Sequence, residues 1–136
     1  MATARRKART LALQALYEID SAGRTPETAV ARLLENTRLS EENAAFVREL
    51  VSGALRHREE IDSKVRQFAP AWPLEQMAMI DRNILRLAIF EILFDNKVPV
   101  KVAVSEAVEL AKSFGSESSP KFVNGVLGSV SALAGR

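Results

Sequence analysis

Apolar residues in this 136-residue chain recur at steps of three and four over most of its length, and nowhere is there a sustained apolar-polar alternation closed by hairpin turns. Stripes of that period are buried by packing helix against helix. The chain is therefore predicted to be all-α, a compact bundle of six or seven helices with no sheet. Short connections, with no repeat and no long linker, make residues 1–136 a single domain. At this length one core buries about two thirds of the unfolded surface.

Start and stop signals divide the pattern. The first helix is expected from about Ala4 to Ser21, with Ala12, Leu13, Leu16 and Ile19 on one stripe and Gly23 just past its end. Thr25-Pro26-Glu27 supplies an N-cap, a first-turn proline and an early acid for a short helix carrying Val30, Leu33 and Leu34. From Ser40 a seam runs through Val47, Val51, Ala54, Arg58, Ile61, Val65 and Phe68; its one polar entry, Arg58, marks a break or a second helix. Gly53 inside this run reads as a close helix contact, since a mid-helix glycine costs about 1 kcal/mol relative to alanine. Pro70 and Pro73 bracket Trp72 and end the segment. The next helix, within Leu74 to Asp95, is apolar nearly all round and belongs at the centre of the bundle. A helix with Val104, Ala107, Val108, Ala111 and Phe114 closes at Gly115, and Ser118-Ser119-Pro120 restarts the chain as a last helix with Phe122, Val123, Val126, Leu127, Val130 and Leu133.

Composition narrows the function classes. There is no cysteine, so no disulfide, thiolate metal site or cysteine nucleophile is available, which fits a reducing cytoplasm. No export signal and no membrane span is read. His57 is the only histidine, and a serine triad or imidazole metal cluster has nothing to build on. Glu41-Glu42 and Glu59-Glu60 point to different helix faces, and Glu106 with Glu109 is an ordinary exposed pair. The chain is thus expected not to be an enzyme and to need no cofactor or metal.

Charge is placed unevenly. Arg5, Arg6, Lys7 and Arg9 precede the first acid, Glu18; the remaining 15 basic residues are outnumbered by 17 acids. Cations in the first turns of a helix oppose its macrodipole by about 0.3 to 1 kcal/mol each, so another interaction must favour them. Arg5 and Arg9, one turn apart, are spaced to address neighbouring phosphates of a nucleic acid; a solvated basic end is the alternative. A second candidate is Ser119-Pro120-Lys121-Phe122, where free backbone N–H groups, a hydroxyl, a cation and an aromatic ring suit phosphate and a stacked base. The competing reading makes Ser119 a cap and Phe122 core.

With these residues in view, the chain resembles the NusB family of bacterial transcription antitermination factors from end to end. The matching stretches are Ala4-Arg5-Arg6-Lys7-Ala8-Arg9, Ala12-Leu13-Gln14-Ala15-Leu16-Tyr17, Ile61-Asp62, Trp72, Asp81 through Arg86, and Val98-Pro99. The most specific are Glu106-Ala107, Glu109 through Gly115, and Lys121 through Leu127. The resemblance implies binding of the boxA-type single-stranded RNA of ribosomal RNA leader transcripts, with NusE, a small-subunit ribosomal protein, in the antitermination complex on RNA polymerase. It puts Arg5, Arg6, Lys7, Arg9, Ser119, Lys121 and Phe122 on the RNA surface, and Tyr17 and Asp81 against NusE. Ser105, Ser118 and Gly128 depart from the family pattern, and the last two remove acids near the presumed RNA face.

Two other readings compete. The same fold serves as the N-terminal domain of certain ribosomal RNA methyltransferases, but no dinucleotide-type glycine loop is present. A protein-interaction module, such as a homodimer covering its own basic face, accounts for the N-terminal arginines without RNA.

Overall fold

The computed structural model describes residues 2–135, with side chains from residue 4 onward. Among the described residues seven α-helices follow one another: α1 (Ala2–Ala22), α2 (Pro26–Glu35), α3 (Glu41–Arg56), α4 (Arg58–Phe68), α5 (Met79–Ile89), α6 (Val100–Phe114) and α7 (Ser119–Ser131). Among the described residues there is no strand. The cap signals act as anticipated. The Thr25 hydroxyl accepts from the Thr28 N–H with Pro26 behind it, and the Ser40 hydroxyl accepts from Asn43 N–H, so each satisfies an orphan donor of its helix. Gly23 adopts the left-handed φ of 67° that ends α1.

The seam through Val47 and Phe68 is two helices, parted at His57, one residue before the polar entry Arg58. The single helix expected within Leu74 to Asp95 is three pieces. A 3-10 turn, Leu74–Gln76, precedes α5, and α5 continues without a break into a π-helical turn, Phe90–Asp95. Asn96, at φ 56°, ends that turn; short polar residues tolerate this conformation best after glycine.

α5 is the central helix, as its all-round apolar pattern required: every residue from Asn83 through Ile92 is buried, and α1, α3, α4, α6 and α7 pack on it. The buried apolar side chains form one continuous cluster drawn from all seven helices. Gly53 lets α3 pack closely on the π-turn, for a Cβ there would lie 2.1 Å from Cζ of Phe90. Some members of the predicted stripes lie outside the core. Phe114, the last residue of α6, is 43 % exposed, and Leu133, beyond the end of α7, is 47 % exposed.

Buried charge joins three helices. Arg86 donates to both oxygens of Asp62 at 2.8 and 3.1 Å and to Asp20 at 3.2 Å, while Arg82 donates to both oxygens of Asp20 at 2.8 and 3.0 Å. Asn83 adds a further bond to Asp20 at 3.0 Å. Burial alone would raise the Asp20 carboxyl; the bonds from Arg82 and Asn83 and the charges of Arg86 and Arg82 outweigh it and hold the group at about 2. The network clips the C-terminal end of α1 and the middle of α4 onto α5 at Arg82, Asn83 and Arg86.

Candidate nucleic-acid and partner surfaces

The four N-terminal cations of α1 have four different environments. Lys7 is exposed, and among the described residues no carboxylate pairs with it. Arg6, on the surface, donates to both oxygens of Glu106 on α6 at 3.1 and 2.9 Å. Those bonds hold the Glu106 carboxyl below its ordinary range in spite of its partial burial, with the charges of Arg6 and Arg9 adding to the effect. Arg5 lies over the ring of Phe46 on α3, 4.0 Å from the centroid, and stands 3.9 Å from Glu42.

Arg9 departs from its expected place on the RNA surface. It is 4 % exposed and donates to both oxygens of Glu91, itself 2 % exposed, at 3.0 and 2.9 Å. The physical reason lies in helical spacing: Arg9 precedes Ala12, Leu13 and Leu16 by three, four and seven residues and so shares their apolar face. Glu91, in the apolar run of α5 and its π-turn, is the acid that makes this burial tolerable. Sequence reasoning missed Glu91, though an acid inside an all-apolar helix was the available signal. The macrodipole conflict is thereby reduced, since Arg6 and Arg9 each meet a carboxylate from a distant helix.

The start of α7 divides in the same way. Ser119 is 1 % exposed, its hydroxyl accepting from the Ser116 N–H at 2.9 Å and lying 3.1 Å from the Ser116 hydroxyl. It fastens the turn between α6 and α7 and is buried, away from the surface position expected of it. Lys121 is exposed and Phe122 half-buried, packed on the core along one side. Both line a surface groove of about 380 Å³ together with Trp72, Met77 and Asp81. Trp72 is 59 % exposed, held between two prolines, and sequence reasoning assigned it no role. Phe122 is thus neither wholly core nor wholly a free platform.

Tyr17, 41 % exposed on α1, precedes Asp20 by one turn. Asp81 sits in the first turn of α5, next to the Arg82 that grips Asp20, and its Oδ1 is buried with no hydrogen-bond partner among the described residues. The buried network thus carries Tyr17 and Asp81 to the same end of α5. The N-terminal cations lie at the other end, where Arg9 meets Glu91; the ten residues separating Asp81 from Glu91 correspond to about 15 Å of helix. Among the described residues no hydrogen bond or ion pair links Arg5, Arg6, Lys7 or Arg9 to Lys121 or Phe122.

Among the described residues no three His, Asp or Glu side chains converge as a metal site, and no helix is long and apolar enough to cross a membrane. The family model described as the NusB family matches residues 6–132. A transcription antitermination protein NusB of Dehalococcoides mccartyi is 58% identical over 135 residues, covering 98% of this chain and 94% of that protein. The one from Symbiobacterium thermophilum is 54% identical over 134 residues, covering 93% and 88%. Among solved structures, T. maritima NusB superposes with a TM-score of 0.88 at 31% identity, covering 94% of this chain and 90% of that one. A crystal structure of the antitermination factors NusB and NusE in complex with dsRNA gives 0.88 at 30% identity, covering 98% and 99%. Agreement of sequence and fold over nearly the whole length shows that this chain belongs to the NusB family.

Proposed function

We propose that this protein is a cytoplasmic transcription antitermination factor that binds boxA-type RNA of ribosomal RNA leader transcripts jointly with NusE, as part of a complex on RNA polymerase, and that it acts by binding and not by catalysis. The observation that carries the reading is its likeness, over 98% of its length, to a NusB chain crystallised with NusE and dsRNA. Lys7, Arg5, Arg6, Lys121 and Phe122 form the proposed RNA surface, Arg6 by exchanging Glu106 for phosphate. Arg9 and Ser119 support that surface from inside. Tyr17 and Asp81 form the proposed NusE surface.

The test is a titration of labelled boxA RNA, single-stranded and as a duplex of the same sequence, with and without NusE. Binding of the single strand is expected to tighten by roughly 5- to 150-fold when NusE is present, and by reciprocity RNA should tighten NusE to the same degree. Unchanged RNA affinity in the presence of NusE sinks the shared-complex mechanism. Preference for the duplex would shift the ligand assignment to paired RNA. A homodimer that dissociates only at high dilution and excludes RNA would favour the protein-interaction reading.

A further inference from the structure

We propose that Phe46, on α3, is a positioning residue for RNA recognition, its ring holding the Arg5 guanidinium in place so that an incoming phosphate meets a pre-ordered cation. This deepens the RNA-binding reading above and rests on it. Phe46 is 8 % exposed, and the guanidinium carbon of Arg5 lies 4.0 Å from its ring centroid, well inside the range in which a ring attracts a cation. Arg9 approaches the same ring at 5.3 Å, but its charge is met by two hydrogen bonds to Glu91. Arg5 has no such answer. Its ion pair with Glu42 spans 3.9 Å, beyond hydrogen-bond distance, and Glu42 is itself 81% exposed. Its Nη1 is buried and, among the described residues, makes no hydrogen bond.

The guanidinium is therefore covered at Nη1 and held over a ring, while the side chain as a whole is still 40% exposed. It keeps both its charge and unused donors for an anion, and a guanidinium fork fits phosphate oxygens in pairs. An unrestrained arginine loses rotamer freedom when a phosphate immobilises it; one already stacked on Phe46 has lost that freedom on folding. The buried Arg9–Glu91 pair adjoins the inner part of the same assembly, so ring and cation sit on a rigid base.

A double-mutant cycle of Phe46→Leu and Arg5→Gln tests this, with single-stranded boxA RNA affinity at low and high salt and urea melts as readouts. Phe46→Leu keeps a buried apolar side chain and removes the ring. It is expected to weaken RNA binding roughly two- to tenfold when Arg5 is present and to have no effect on binding in the Arg5→Gln background. Phe46→Tyr should restore the wild-type affinity. An equal loss in both backgrounds, or no loss at all, overturns the proposal. If Arg5→Gln alone leaves affinity and salt slope unchanged while the wild type binds RNA, Arg5 meets no phosphate and the positioning role falls, with the functional reading intact. If the wild type does not bind the RNA, the functional reading itself fails and the role falls with it. A second measurement needs no folded Phe46 variant. The Arg5 side-chain resonances of the unaltered protein, displaced by the ring current of Phe46, should stay displaced at RNA saturation; their return to unshifted positions would mean that Arg5 leaves the ring to bind.

Discussion

Arg9 shows how one side chain changes role between sequence and structure. Counted as charge it belongs with Arg5, Arg6 and Lys7; counted as helical position it belongs with Ala12 and Leu16, and burial follows position. A buried, doubly hydrogen-bonded ion pair is strongly destabilised by the loss of one member, because the other is left charged in the interior. We predict that Arg9→Gln or Glu91→Gln costs about 3 to 5 kcal/mol of folding stability, measured by urea denaturation. The double change to apolar residues of similar volume should cost less than the two single changes summed. If Arg9→Gln instead leaves stability unchanged and weakens only RNA binding, the buried placement of Arg9 is wrong.

At the scale of elements, two joints hold the bundle. The first is the contact between α3 and the π-turn, where Phe90 occupies the space above Gly53. Alanine in a helix is favoured over glycine by about 1 kcal/mol, yet overpacking costs roughly 1 to 3 kcal/mol. Gly53→Ala should therefore destabilise the protein in thermal melts. In a Phe90→Leu background the same change should become neutral or stabilising, and persistence of the loss there would refute the steric account. The second joint is the network around Asp20. Because its carboxyl is held at about 2 when folded, below its ordinary 3.8, its contribution is fully present above 3.8 and is lost as pH falls through about 2. The stability gap between the wild type and Asp20→Asn should accordingly narrow as pH falls through that interval and stay constant above it. Urea midpoints followed across that range would show this, and a gap independent of pH would remove Asp20 from the account.

For the whole molecule, the proposed RNA surface has two parts, Lys7 and its neighbours at one end of α5 and Lys121 with Phe122 at the other. Distant sites with no shared partner contribute independently. Lys7→Gln and Lys121→Gln should each flatten the slope of log K against log salt by about 0.7 for single-stranded RNA, and together by about 1.4. Both variants should keep the wild-type melting temperature, since each lysine is exposed. A combined loss equal to either single loss would mean that RNA cannot contact both ends at once. The helical class, the central place of α5, the caps at Thr25 and Ser40 and the contact at Gly53 were legible in the sequence, because period, capping and glycine placement are local properties of the chain. So was the family, carried by blocks in order from Ala4 to Leu127. Only the tertiary structure decided which members of a charged cluster face water. Arg6, Lys7 and Arg9 are near neighbours in sequence, but Arg9 is buried on Glu91, 82 residues away, Arg6 lies at the surface against Glu106, 100 residues away, and Lys7 stays exposed. The π-helical end of α5 and the groove uniting Trp72, Asp81 and Phe122 are likewise products of packing between distant segments, and helical period alone does not encode them.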